Sequence, residues 1–393
     1  MTKMNSSSQR SDWLGVFLWS GLCFMFLQLP ALRPLAKYVP EKFPLIAPLF
    51  LVGIFGIYVF LFRSFQMNHW IKYLDNRNLY WGIILLFTAA VAVVYPMADG
   101  LKEVGRGSDD DDAMRILAEN IAVLKNPYFI RTYHGNPLSP GPGWAALWIP
   151  IALLGGYQFL NPIMLCAAGL TVKKCAKNGW LSANMFLVLI LSSLAVWEMS
   201  TTGTDLFALG LCFLCLPLWI RKAEKQHWIL LLAVLLGMIS TSRIIFVYIP
   251  FLVGFVLWDG SKQKAVVVAL TSLVVCVVLH AVFYYWSGGD YPPFHVMSKG
   301  DRMMTLNMKM LAVSVCVASG VFMLRSYKNS SPVWLMWMGL MPPLMVLSLA
   351  DLSNLLDWDF ALWIGSRYFL PPMALFVAWC VSNHENDQMK HDT

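Results

Sequence analysis

The fold class that this sequence predicts is all-α, a bundle of membrane-crossing helices. Three observations predict it. Of 393 residues, 58% are hydrophobic and only 13% are charged, with a mean hydropathy of +0.60; ordinary soluble domains carry about 25% charged residues. Apolar runs of roughly 16 to 22 residues, the length at which a helix crosses a bilayer, recur from end to end. No stretch shows the alternating segments of about ten residues that membrane barrels are built from. The net charge of +7 then reports basic cytoplasmic loops, with no nucleic-acid partner implied.

The elements follow in order. Met1 to Asp12 is a short polar tail, and no small-residue cleavage site follows the first apolar run, so a removable signal peptide is not expected. Spans are expected at 13–29, 44–62 and 80–97. Residues 98–156 then form an acidic loop with helices lying along the membrane surface. Trp144 to Gly155 is apolar but only about a dozen residues long, too short to cross. Further spans are expected at 157–172, 181–198, 204–220, 227–241, 244–258, 265–286, 309–324, 333–349 and 361–382, followed by a cytoplasmic tail at 383–393. The total is about twelve spans. Residues 1–393 read as one integral membrane domain, without repeats or a soluble domain.

Charge placement orients the chain. With the N-terminus inside, the short inner loops are basic: Lys173, Lys174 and Lys177 in one, Arg221, Lys222 and Lys225 in the next, Lys262 and Lys264, then Arg325 and Lys328. Arg33, Lys37 and Lys42 run against this scheme, because they fall in a short outer loop. The acidic loop lies outside, on the same surface as Glu198 to Asp205, the turn at Arg243, Ser287 to Asn307 and Asp351 to Arg367.

The longest polar interruption, Gly107 to Gly143, is where chemistry is expected. Ser108 suits a helix N-cap, and acids favour a first turn through the helix dipole. One or two acids would serve that purpose. Asp109, Asp110, Asp111 and Asp112 repel one another, a device for general-base work or for cation binding. The following residues read as an amphipathic helix with Met114, Leu117, Ile121 and Leu124 on one side. Glu198 and Asp205 bracket a short turn, where solvated span ends compete with substrate binding. Tyr128 and Tyr133 suit sugar stacking or interface anchoring. His134 and Asn136 could meet hydroxyl groups, and His295 and Lys299 could meet substrate from a later loop. His280, in a span, reads as a satisfied polar residue. Arg243 and Arg367, the latter followed by Tyr368, sit at outer span ends where arginine is disfavoured, so each is a candidate for a phosphate at headgroup depth. The eight cysteines lie almost entirely in spans, and Cys212 and Cys215 read as small apolar helix residues.

Several of these features together resemble a known family. A membrane helix leads into Asp109-Asp110-Asp111-Asp112-Ala113, then an Ala-containing helix, Asn126-Pro127-Tyr128, Asn136-Pro137-Leu138-Ser139-Pro140 and a late Arg367-Tyr368-Phe369-Leu370-Pro371. The pattern resembles the GT-C glycosyltransferases, with mannosyltransferase-like members, over roughly residues 80 to 382 by topology. The run of four acids departs from the family's single-carboxylate pattern. The resemblance implies a GT-C-like helical bundle in a bacterial cytoplasmic membrane with an outward-facing site. It implies sugar transfer from a polyprenyl-phosphate-linked donor to a glycan, lipid or protein acceptor. Asp109 is then the expected base, Asp111 and Asp112 its neighbours, and Asp110 the position expected to matter least. Asp109, Asp111 and Asp112 are the set that the resemblance implies for a divalent ion such as Mg²⁺ or Mn²⁺.

Two other functions compete. A transporter or flippase of a lipid-linked saccharide would need charge near mid-bilayer and matching halves; here charge gathers at one face and the halves differ. A ligase- or polymerase-like enzyme would carry its large polar loop later in the chain. The orientation is directly measurable. A membrane-impermeant maleimide applied to intact cells is expected to leave Cys175 unlabelled and to label a cysteine placed at Gly135; the reverse pattern would overturn the topology.

Overall fold

The computed structural model describes residues 6–66, 71–104, 108–294, 304–355 and 359–388, and every regular element among them is helical. In chain order α1 is Ser6–Leu27, α2 Leu32–Tyr38, α3 Phe43–Gln66, α4 Ile71–Leu74, α5 Arg77–Gly100 and α6 Asp110–Ala122. Then come α7 Pro142–Leu147, α8 Ile149–Leu153, α9 Leu160–Cys175, α10 Trp180–Leu191, α11 Leu194–Thr201 and α12 Leu206–Lys222. The chain continues with α13 Gln226–Ser240, α14 Ile249–Leu257, α15 Lys262–Trp286, α16 Leu306–Ser326, α17 Pro332–Ser353 and α18 Leu370–Gln388.

Six helical segments among the described residues are long and apolar enough to cross a membrane: Pro40–Leu61, Arg77–Glu103, Lys262–Trp286, Leu306–Ser326, Pro332–Ser353 and Ile364–Ser382. This is a multi-pass membrane protein. Helices also stand at the other expected spans, but α9, α12 and α13 are shorter, at 16, 17 and 15 residues. The expected span at 181–198 is broken: α10 and α11 meet at 79°. The break falls at Ser192-Ser193. The Ser192 hydroxyl donates to Leu189 O at 2.7 Å, and the Trp197 indole donates to Leu191 O at 2.8 Å. Side chains thereby satisfy carbonyls that the ended helix leaves open. Trp144 to Gly155 forms the two short helices α7 and α8, of 6 and 5 residues.

Burial sorts the bundle into centre and rim. The apolar stretch of α16 is only 11% buried, whereas Ile364–Ser382 is 78% buried. Lipid is the natural cover for the bare apolar faces of α5, α15 and α16, where Leu85, Leu86, Val278, Leu311 and Val317 are exposed. The centre is α12, buried without interruption from Leu206 to Pro217. There α12 meets α18 so closely that a Cβ on Gly210 would stand 2.4 Å from Pro371 Cα. Small residues let helix backbones approach in membranes, where packing must substitute for the hydrophobic effect.

Gly210→Ala therefore forces the two central helices apart. Overpacking of this kind costs about 1–3 kcal/mol. A lowered unfolding temperature in detergent is expected; an unchanged one would contradict the contact.

Candidate functional site

The acidic run divides at the start of α6. Asp109 occupies the N-cap position, and Asp110, Asp111 and Asp112 form the first turn. Successive helical residues point about 100° apart, so the four carboxylates leave in different directions and each meets its own partners.

Asp110 turns toward the last membrane helix. Its Oδ2 accepts from Arg367 NH1 at 2.6 Å, Ser108 Oγ at 2.9 Å and Thr204 Oγ1 at 3.0 Å. Burial pushes this carboxyl up, but the Arg367 charge and the three hydrogen bonds outweigh it and hold it well below the usual carboxylate range. Asp110, the position expected to matter least, is the partner of Arg367. Arg367 lies in the 3-10 turn Ile364–Phe369, where Asp351 Oδ2 accepts from the Gly365 N–H at 2.5 Å.

Asp111 turns inward and is 1% exposed. Its oxygens accept from the Tyr95 hydroxyl at 2.5 Å and from Lys102 Nζ at 3.0 Å. Burial raises this carboxyl above its ordinary value, against the pull of the Tyr95 hydrogen bond and the Lys102 charge. Gly203 makes room: it sits at φ 71 and a Cβ there would stand 2.5 Å from Asp111 Cβ. That left-handed conformation suits glycine, so both its backbone and its missing side chain are used. Asp112 Oδ1 takes a second hydrogen bond from Lys102 Nζ, at 2.9 Å.

Asp109 meets only neutral donors. Oδ2 accepts from the Thr132 hydroxyl and from Asn136 Nδ2, the latter at 2.9 Å. Among the described residues no cation pairs with Asp109 and no donor reaches Oδ1. The loop that supplies these donors is tied to itself, since Thr132 Oγ1 also accepts from the Asn136 N–H at 3.0 Å.

The acids that bracket the turn before α12 are not solvated. Asp205 is 2% exposed and takes a two-bond fork from Arg243, at 3.2 and 2.8 Å, plus the Trp144 indole at 2.6 Å. The Arg243 fork is therefore engaged inside the protein. The positive charges of Arg243 and Arg367 both act on the Tyr368 hydroxyl. Glu198, also buried, pairs with Arg33 at 2.7 Å and Lys37 at 3.9 Å. This accounts for two of the three cations that opposed the charge rule: a buried carboxylate favours them there.

The other expected residues scatter. Tyr128 is buried, donates to Pro140 O at 3.1 Å and packs edge-on against Tyr291. Its ring thus packs on the segment that follows α15. Tyr133 and His134 are exposed and stack edge-on together at 5.4 Å. His280 Nδ1 meets the Tyr291 hydroxyl at 2.7 Å, while Nε2 is buried without a partner among the described residues. His295 and Lys299 lie outside the described residues. Leu124 leaves the expected apolar face: α6 stops at Ala122, and Leu124 follows at φ 55 with 80% exposure. Met114 and Leu117 are buried as expected.

Sequence reasoning missed Tyr95, Asp99, Lys102, Thr132 and Thr204 as partners. Arg33 and Lys37 carried a signal, their misplaced charge. The carboxylates that come near enough to share a cation are Asp99, Asp111 and Asp112, with oxygens within 4.8 Å of one another; Asp109 is outside that group. Comparison with known proteins found no matching family model, no matching curated protein and no matching solved structure.

The fork on Asp205 has a measurable consequence. Arg243→Ala leaves a buried carboxylate without its cation, which costs about 3–5 kcal/mol. Unfolding in detergent is expected at markedly lower temperature for Arg243→Ala. Arg367→Ala is expected to lower it less, because Asp110 is 26% exposed and can rehydrate. Equal stability of Arg243→Ala and the unaltered protein would rule out the Asp205 pair as a structural tie.

Proposed function

We propose that the chain is an integral membrane glycosyltransferase of the GT-C kind, with about twelve spans in a bacterial cytoplasmic membrane and its site facing outward. It transfers a sugar from a polyprenyl-phosphate-linked donor to a glycan, lipid or protein acceptor. The observation that carries this reading is Asp109. Thr132 and Asn136 hold one of its oxygens, and Oδ1 is left without a donor among the described residues. A general base needs a carboxylate oxygen that is aimed but not occupied. Its three neighbours are bound to Arg367 or Lys102.

In the proposed step the acceptor hydroxyl oxygen attacks the anomeric carbon. The bond from that carbon to the phosphate oxygen breaks, and the electron pair leaves on the lipid phosphate. Asp109 Oδ1 takes the hydroxyl proton. The new negative charge needs a cation, and Arg367, one residue along from the base through Asp110, is the guanidinium available to it. Arg33 Nε and Glu198 Oε2 are buried without partners among the described residues, so the neighbouring ion pair has unused hydrogen-bonding capacity for a substrate group.

The test is a complementation experiment read by mass analysis of surface glycans. Cells lacking the protein are expected to lose one sugar from a glycan, and the unaltered chain to restore it. Asp109→Asn keeps shape but removes the base, and should lower the rate by roughly 10²- to 10⁴-fold at equal membrane abundance. Arg367→Lys keeps charge but loses the fork, and should fail at limiting donor. Full restoration by Asp109→Asn would sink the base assignment. Loss of the deleted strain's sugar together with accumulated inward-facing donor would favour the transporter.

A further inference from the structure

Lys102 lies in the short 3-10 turn Leu101–Val104 that continues α5, and it is 7% exposed. Lysine is rarely buried without a reason. Its Nζ meets three carboxylates: Asp111 Oδ1 at 3.0 Å, Asp112 Oδ1 at 2.9 Å and Asp99 Oδ1. Of the ammonium's three N–H donors, two are hydrogen-bonded to Asp111 and Asp112, and Asp99 is held as an ion pair. One oxygen from each of the same three carboxylates lies within 4.8 Å of the others, close enough to converge on a divalent ion of Ca²⁺ or Mn²⁺ size with small movements. Arg115 adds a more distant charge, 3.8 Å from Asp111 Oδ2.

We infer that Lys102 is a resident cation: its ammonium occupies the position among Asp99, Asp111 and Asp112 that a divalent ion would otherwise take, and removing it converts the cluster into a metal site. Two physical points carry the inference. The cluster holds three carboxylates in little space and is kept together by a cation, whichever cation that is. The ammonium also stands at the meeting point of all three oxygens, so a metal and Lys102 are mutually exclusive there. The sequence between the acids makes this possible. Asp99 is three residues before Lys102, and the turn at Leu101–Val104 returns the lysine toward the first turn of α6. Lys102 is thus a positioning residue for that turn, which begins beside Asp109. The inference does not rest on sugar transfer and concerns only which cation the acids hold.

The experiment uses the full chain, purified in detergent, stripped with EDTA and titrated with Mn²⁺ by electron paramagnetic resonance, with unfolding temperature followed in parallel. The unaltered protein is expected to bind no Mn²⁺ at this cluster up to about 1 mM and to unfold at the same temperature with or without the ion. Lys102→Ala is expected to unfold earlier without metal. It should bind one Mn²⁺ with a Kd at least about tenfold below that limit of about 1 mM, a factor equal to about 1.4 kcal/mol, and regain stability as the site fills. Adding Asp112→Asn to Lys102→Ala should abolish both effects. Lys102→Gln, which keeps hydrogen bonding and lacks charge, serves as a second variant and should behave like Lys102→Ala. A lysine that only fills space would lower stability without creating metal dependence. The inference is overturned if the unaltered protein binds one Mn²⁺ that Asp112→Asn removes. It is equally overturned if the folded Lys102 variants ignore the ion, or if neither variant can be recovered even when purified with Mn²⁺ present.

Discussion

Four adjacent carboxylates cannot share one helix start without cations to separate them. At about 4 Å two like charges repel by roughly 4 kcal/mol even at an effective dielectric of about 20. The protein divides the run between two basic residues from different parts of the chain. Lys102, from the end of α5, holds Asp111 and Asp112. Arg367, from the start of the last membrane helix, holds Asp110. The helix dipole at the start of α6 helps all three. Asp109, at the N-cap position, is left with hydroxyl and amide donors alone among the described residues. The division, more than the number of acids, distinguishes one carboxylate from the others.

The surrounding fold serves this arrangement. The bend between α10 and α11 brings Glu198 to Arg33, and the turn after α11 brings Gly203 against Asp111 and Thr204 to Asp110. Asp205, at the start of α12, ties α7 through Trp144 and the α13 end through Arg243. Gly141 and Gly143 allow α7 to lie on that same end: a Cβ on Gly141 would overlap Thr241 O at 1.6 Å. Helices that are far apart in sequence therefore meet at one set of buried ion pairs. Breaking such a pair by removing one member is costly, because the remaining charge has no water to return to.

Much of the fold was legible and the partners were not. Hydropathy alone marked the membrane class and the helices, since lipid demands long apolar runs with internally satisfied backbones. The short apolar stretch at Trp144 was readable by length. The break inside 181–198 was not, because Ser192-Ser193 is compatible with an unbroken helix until Trp197 is seen to cap Leu191. The acidic run announced a site, but sequence could not say which acid meets which cation: Arg367 is 257 residues from Asp110. Glu198 and Asp205 read first as solvated span ends and second as substrate binders; both are instead buried in internal ion pairs with Arg33 and Arg243. Leu124 fitted the helical period, yet α6 ends before it. Arg33 and Lys37 were legible as an anomaly, and Glu198 is the physical reason for it.

The claim on which the account depends is that, among the described residues, Asp109 alone in the run is unencumbered by a cation. Carbodiimide coupling of an amine label, followed by peptide mass analysis, reads this on the folded protein without any assumption about substrate. Coupling needs a carboxyl that a reagent can reach and that no ammonium or guanidinium holds. The label is expected on Asp109, with Asp110, Asp111 and Asp112 protected until the protein is unfolded. Labelling spread evenly over the four, or concentrated on Asp110 or Asp112 with Asp109 spared, would contradict it.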